Sequence, residues 1–278
     1  MFSPARRGND KKPGEGNLMS QIWIPAGTLC WREIIRFARQ RSRVTGAFAQ
    51  PLVFWILLGG GLKASFRPPG VPEGTSYVEY FYPGAIALVL LFTAIFSTIS
   101  VVEDRQAGFL QGVLVAPVNR STIVLGQALG GTTLALIQGM LFLLFAPAVG
   151  IPLSMLGVLA GVGVMFLIAF SLTCLGLLFA WRMDSTQGFH AIMNLILLPI
   201  WLLSGAFFPR SGVSPWLGWV MQVNPLTYGM AALRHCLYLG YPVGVGEVPG
   251  LGVSLFITAL FTIVTFVFAI QAARQNRL

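Results

Sequence analysis

Charge is what this chain has least of. Asp, Glu, Lys and Arg make up only 10% of its 278 residues, while 55% are hydrophobic. A soluble domain needs about a quarter of its residues charged to cover its surface, so a soluble globular protein is excluded. Lysine is scarcer still: Lys11, Lys12 and Lys63 are the only ones, and none closes a GxxxxGK[ST] phosphate loop. An ATP site of that kind is therefore absent from the chain. No Asp or Glu stands inside any long apolar run. That argues against a proton-driven carrier, whose relay would place a carboxylate in the membrane. The two histidines, His190 and His235, and the three cysteines, Cys30, Cys174 and Cys236, are dispersed along the chain. They assemble neither a zinc-type cluster nor a disulfide framework. No nucleophile, base and metal set for a membrane hydrolase can be put together either.

What the chain does have is apolar length. Six runs, 47–62, 82–102, 122–146, 154–180, 189–208 and 251–272, are candidate membrane spans. A span needs about 20 residues to cross a core of about 30 Å, and its backbone groups must bond internally, which means helices. The first run is short and has to borrow residues 44–46, and its Gln50-Pro51 predicts a kink. The fold class is thus an all-α integral membrane protein with six transmembrane helices. Residues 1–27 read as a polar, disordered N-terminal extension, and 28–278 as a single domain.

Basic residues orient the spans. With both termini cytoplasmic, Arg6, Arg7, Lys11, Lys12, Arg32, Arg36, Arg39, Arg41, Arg43, Arg105, Arg120, Arg182, Arg274 and Arg277 fall inside, and Lys63, Arg67, Arg210 and Arg234 outside. The net charge of +9 is therefore a topology signal rather than a nucleic-acid footprint. It places the three cysteines inside, mid-membrane and outside.

Three segments outside the spans carry pattern. Trp31, Ile34, Ile35 and Ala38 form an apolar stripe, and Arg32, Arg36, Arg39 and Arg43 a basic one. One helix lying in the cytoplasmic membrane interface fits both, with its arginines reaching lipid phosphates; a plain topology anchor fits equally. Residues 103–117, EDRQAGFLQGVLVAP, follow the second span. They read as a short cytoplasmic helix, with acids at its start, an apolar face of Phe109, Leu110, Val113 and Leu114, and Pro117 at its end. Residues 202–239 hold an external helical hairpin. Ser214-Pro215 and Asn224-Pro225 give each helix a capping residue before proline, and Gly240 supplies a stop. Trp216, Trp219, Leu226, Tyr228, Met230 and Leu233 are too apolar for a free loop, so the hairpin dips into the outer leaflet, with Arg234 and His235 marking its return to water. Within the spans, Ser97, Thr98, Ser100, Thr132, Thr133, Gln138, Ser171, Thr173, Asn194 and Ser204 either line a path or bond helix to helix beside Gly126, Gly130 and Gly131. Phe54, Trp55, Phe92, Phe96 and Trp201 are open to the same two readings.

The ordered set of motifs resembles the membrane-spanning permease subunits of type-2 ABC exporters. The resemblance covers about 31–274. It rests on the N-terminal helix, the six spans, E-x4-G-x8-P (Glu103, Gly108, Pro117), LSGAFFP at 203–209 with Phe207, Phe208 and Pro209, Pro215-Trp216, and NPLTY at 224–228 with Asn224, Pro225, Tyr228 and Arg234. The version here is most similar to drug-resistance and lipo-oligosaccharide permeases. The resemblance implies a homodimer in the cell inner membrane with two separate cytoplasmic ABC ATPase subunits beneath it, which bind the ATP and Mg; the chain itself would be no enzyme and hold no cofactor. Glu103, Gly108, Phe109, Leu110, Val113, Leu114 and Pro117 would form the coupling helix, helped by the helix of Trp31, Arg32, Ile35, Arg36, Arg39 and Arg43. The path would run between spans two and five of the two copies, with Phe92, Phe96, Thr98, Asn194 and Trp201 as candidate lining, and the hairpin would guard its outer end. The cargo would be an amphiphile: a drug, a lipid or a lipid-linked oligosaccharide. A polysaccharide-export permease, or a non-transport assembly or regulatory protein, shares the architecture.

Overall fold

A computed structural model describes residues 18–61, 76–110, 112, 118–240 and 248–275. Among them every regular element is helical. In chain order they are α1 (Leu18–Arg39), α2 (Arg41–Gly61), α3 (Tyr77–Gln106), α4 (Arg120–Leu143), α5 (Met155–Ala180), α6 (Thr186–Trp201), α7 (Pro215–Val223), α8 (Pro225–Leu237) and α9 (Leu251–Gln275). A π-helical turn, Leu202–Ala206, extends α6. Among the described residues, six helices are long and apolar enough to cross a membrane: α2, α3, α4, α5, α6 with its extension, and α9. The six spans read from the sequence are therefore the six found, with ends displaced by a few residues.

α3 is the axis of the molecule. Its apolar window is 94% buried by the rest of the chain, against 17% for α2 and 28% for α9. The close approach is made by residues without bulk. A Cβ on Gly131 would lie 2.6 Å from Ser97 Oγ, and one on Gly176 would lie 2.6 Å from Thr98 Oγ1. Small residues at helix contacts are what membrane packing requires, because lipid offers no hydrophobic drive to bring helices together. α2 and α9 are peripheral, with Ile56, Leu57, Phe256 and Ile263 pointing outward.

The polar groups within the spans mostly bond along their own helix. Thr98, Ser100, Thr132, Ser171 and Thr173 each donate to a backbone carbonyl three or four residues earlier, the usual habit of hydroxyl side chains in helices. Between spans, Thr93 Oγ1 donates to Gln138 Oε1 at 2.8 Å, and Thr262 Oγ1 to Leu167 O at 3.3 Å. Cys30, Cys174 and Cys236 are free thiols on three different helices.

Several local features differ from the expectation. α1 starts at Leu18, inside the segment read as disordered, and Ala26 is fully buried on Gly126 of α4. α1 also ends at Arg39, so Arg43 belongs to α2 and the basic stripe is split between two helices. Its packing face is Ala26, Leu29, Glu33 and Phe37, whereas Trp31 of the expected apolar stripe is 64% exposed. Finally, Glu103 and Asp104 sit in the last turn of α3 and not at the start of a new helix.

Candidate functional site

Two acids at a helix C-terminus face the negative end of the dipole, so Glu103 and Asp104 need cations. α1 and α2 supply them. Arg36 Nη1 donates to Asp104 Oδ1 at 2.5 Å, and Arg36 Nη2 to Glu103 Oε2 at 2.8 Å. Arg32 also bonds Asp104, and Arg43 bonds Glu103. The arginines expected to reach lipid phosphates thus hold α1 and α2 to the end of α3; Arg39 is the one that stays exposed. Glu33, 5% exposed, accepts from Arg32 at 3.1 Å. Burial pushes its carboxyl above the usual carboxylate range, and the Arg32 charge pulls it partly back.

The other side of the same turn is tied to the α5–α6 connection. Arg105 bonds the carbonyl of Trp181 and pairs with Asp184 at 2.9 Å, and Gln106 Nε2 donates to Asp184 O at 2.7 Å. Immediately beyond, Gly108 takes φ +72°, a left-handed conformation that reverses the chain at no steric cost. Phe109 then stands 48% exposed, with the Arg32 guanidinium 4.4 Å from its ring centroid, while Leu110 is buried. A groove of about 630 Å³ passes over this face, lined by Trp31, Ile35, Arg36, Arg39 and Phe109 among others. Val113, Leu114 and Pro117 of the expected coupling helix lie outside the described residues.

At the opposite end of α3, the first turns grip the unwound end of α6. Trp201 Nε1 donates to Gly84 O at 2.8 Å, and Tyr80 Oη to Gly205 O at 3.0 Å. Gly205 has φ +78°, and a Cβ on Gly84 would come within 2.8 Å of Ala206 O. Phe207 packs edge-on against Tyr77 and Phe81; Phe208 packs on Phe207. In the hairpin, Asn224 caps α8 by accepting from Leu226 N at 3.0 Å and donates to Ile200 O at 2.6 Å. Ser214, by contrast, makes no capping bond to α7. Tyr228 Oη donates to Gln222 O at 2.9 Å, which closes α8 against α7. α8 is buried, whereas α7 turns Trp216 and Trp219 outward.

Arg234 does not mark a return to water: it is 4% exposed. Its Nη2 donates to Tyr80 O and Gly205 O, and its guanidinium lies 4.1 Å from the Tyr80 ring centroid. It borders a cavity of about 780 Å³ enclosed by Pro209, Arg210, Met221, Tyr228 and the start of α9.

The candidate path residues divide. Thr98 and Trp201 are buried: Thr98 bonds along its own helix and packs on Gly176, whereas Trp201 bonds across to Gly84 O of α3. Phe92 is 6% exposed and stacks on Phe96. Asn194 stands on the open face of α6. With α3 so enclosed, α6 offers far more free surface than α3 to anything beside it.

Sequence reasoning missed Asp104, Glu33, Arg105 and Tyr80. The signal for the first was present in the two acids after span two and the basic residues spaced along one face of α1. The partner of Arg105 is a loop 76 or more positions away, which no local pattern announces.

Comparison with known proteins gives the same architecture a context. Residues 26–238 match the model of the ABC-2 type transporter family. A putative transport permease, ycf38, of Cyanophora paradoxa is 28% identical over 247 residues, 84% of each chain. Nodulation protein J of Rhizobium leguminosarum bv. trifolii is 27% identical over 228 residues, 79% of this chain and 85% of that one. With six apolar spans and a family match over most of its length, the chain belongs to the ABC-2 type transporter family and is a multi-pass membrane permease component of an ABC transporter.

Proposed function

We propose that this chain is the membrane subunit of an ATP-driven exporter of amphiphiles. Separate cytoplasmic ATPase subunits, two per assembly, supply the energy and bind the ATP and Mg. The observation that carries this reading is the double clamp on the last turn of α3, with the exposed Phe109 directly beyond it. A push on Phe109 meets a turn fastened to α1 and α2 on one side and to the α5–α6 connection on the other. It is therefore delivered to the most enclosed helix of the molecule and not absorbed by a loose loop. The groove beside Phe109, with its arginines, is where an acidic and apolar ATPase surface would seat. A second copy would lie against the open face of α6, with Phe96 and Asn194 toward the shared path and the hairpin at its outer end. The membrane is the cell inner membrane, with both termini in the cytoplasm. The similarity to a putative transport permease of Cyanophora paradoxa supports transport, and the family supports an ATPase partner.

The deciding experiment is affinity purification in mild detergent from native membranes, with an ATPase assay of the co-eluting protein. A P-loop subunit should co-elute, and Phe109→Asp should remove it while leaving membrane insertion intact. Retention of the ATPase by Phe109→Asp would overturn the assignment of the docking face.

A further inference from the structure

The 780 Å³ cavity beside the hairpin has an electrostatic peculiarity. Its wall includes two arginines, Arg210 and Arg234, and no carboxylate among the described lining residues. Arg234 is 4% exposed, and a buried guanidinium is unfavourable unless it is paired. Its protein partners are two carbonyls, both on Nη2, and the face of Tyr80. Among the described residues, neither Arg234 nor Arg210 forms an ion pair, and the Arg210 side chain makes no hydrogen bond. Arg210 instead lies along α7, where a Cβ on Gly218 would be 3.7 Å from its Nε. Two guanidiniums lining one partly enclosed space concentrate a positive field there and supply the donors that an oxyanion accepts.

The rest of the wall is apolar and leads outward. Met221, Met230 and Val253 line it, and Val253 is 57% exposed on α9. Phe256 and Leu260 continue the same α9 face, at 68% and 49% exposure. An alkyl chain leaving the cavity would therefore meet a continuous hydrocarbon-facing surface.

We propose that this cavity binds the anionic head of an amphiphile, its phosphate or carboxylate on Arg210 and Arg234 and its tail along α9. Whether that amphiphile is the cargo or a resident bilayer lipid rests on the exporter reading; the site itself does not.

The test uses the purified full chain in a neutral detergent, with native mass spectrometry of bound dioleoyl phosphatidic acid against dioleoyl phosphatidylcholine. Phosphatidic acid should bind at least about tenfold more tightly, the scale of one charge-assisted hydrogen bond. Arg210→Gln, at an exposed position whose loss should not threaten folding, should abolish most of that preference. Arg39→Gln, on the cytoplasmic groove, should leave it intact. Equal binding of the two lipids, or a preference lost in Arg39→Gln and kept in Arg210→Gln, overturns the proposal. Glu247 is adjacent in sequence to the lining Val248 and lies outside the described residues. If it supplied the counter-charge, the wild type would show no preference and Glu247→Gln would gain one, which also overturns the site. These arms need no ATPase, so their outcome is independent of the proposed function. With the ATPase complex in vesicles, ATP-dependent movement of a fluorescent phosphatidic acid identifies cargo. Binding without movement identifies a resident lipid, and either result keeps the site.

Discussion

Asp104 joins α1 to the last turn of α3. Its side chain is 9% exposed and takes guanidinium bonds from both Arg32 and Arg36. Removing a single partner from such a cluster leaves a charge in a poorly solvated place, which costs more than the pair itself contributes. A double-mutant cycle of Arg36→Ala and Asp104→Ala, followed by thermal or denaturant unfolding in detergent, should show a coupling of about 1–3 kcal/mol. Additive effects would mean that the contact carries no net energy. Glu33 gives a pH signature of known sign. Its carboxyl is held above the ordinary glutamate range, so the folded state favours the protonated form. That contribution is full below the ordinary glutamate pKa and is lost as pH rises through the raised value. Glu33→Gln should therefore raise the melting temperature at pH 8, with the gain shrinking toward pH 4. A difference that stays constant across that range would remove Glu33 from the account.

The decisive features among elements are places where a helix has no side chain. α1 sits on α4 because Gly126 and Gly130 leave room: a Cβ at either position would stand 2.8 Å from Ala26 O or Glu33 Cβ. Gly126→Leu should lift α1 off α4, because the first clash is with backbone, which cannot rotate away. Limited proteolysis should then cut within α1 at protease levels that spare the wild type, while the six spans still insert. At the far end, Gly205 adopts φ +78° and offers its carbonyl to both Tyr80 and Arg234. Gly205→Ala should cost about 1 kcal/mol through the left-handed backbone alone. A larger loss would show that the Tyr80 and Arg234 bonds shift with it.

Across the whole molecule, α3 links two sites of opposite character. Its last turn is an acid-and-arginine clamp and its first turns border a cavity with two arginines, joined by one long and almost wholly enclosed helix. Orientation is testable directly. In whole cells, a reagent that cannot cross membranes should label Ser211→Cys and should not label Gln106→Cys; the reverse pattern would invert the topology and put the cavity on the cytoplasmic side.

The sequence by itself determined the class and the count of spans. The cost of an unbonded backbone in hydrocarbon leaves only helices, and scarcity of charge marks where they run. It also placed the hairpin, through Asn224-Pro225 and the LSGAFFP run, because caps, prolines and apolar runs act over a few neighbouring residues. The roles of individual charged side chains were decided only by tertiary structure. On an isolated helix, Arg36 and Arg43 look like a lipid-facing stripe; in the fold they meet Glu103, 67 and 60 positions away. Arg234 reads as a water-boundary residue beside His235, yet it is buried under Tyr80. Thr98 and Trp201 are open to path or packing in the sequence, and only the fold shows that Thr98 meets Gly176 and Trp201 meets Gly84. The physical reason is the same in each case. Whether a charge or hydroxyl faces lipid, water or a partner depends on which distant segment fills the space beside it, and local periodicity carries no record of that segment.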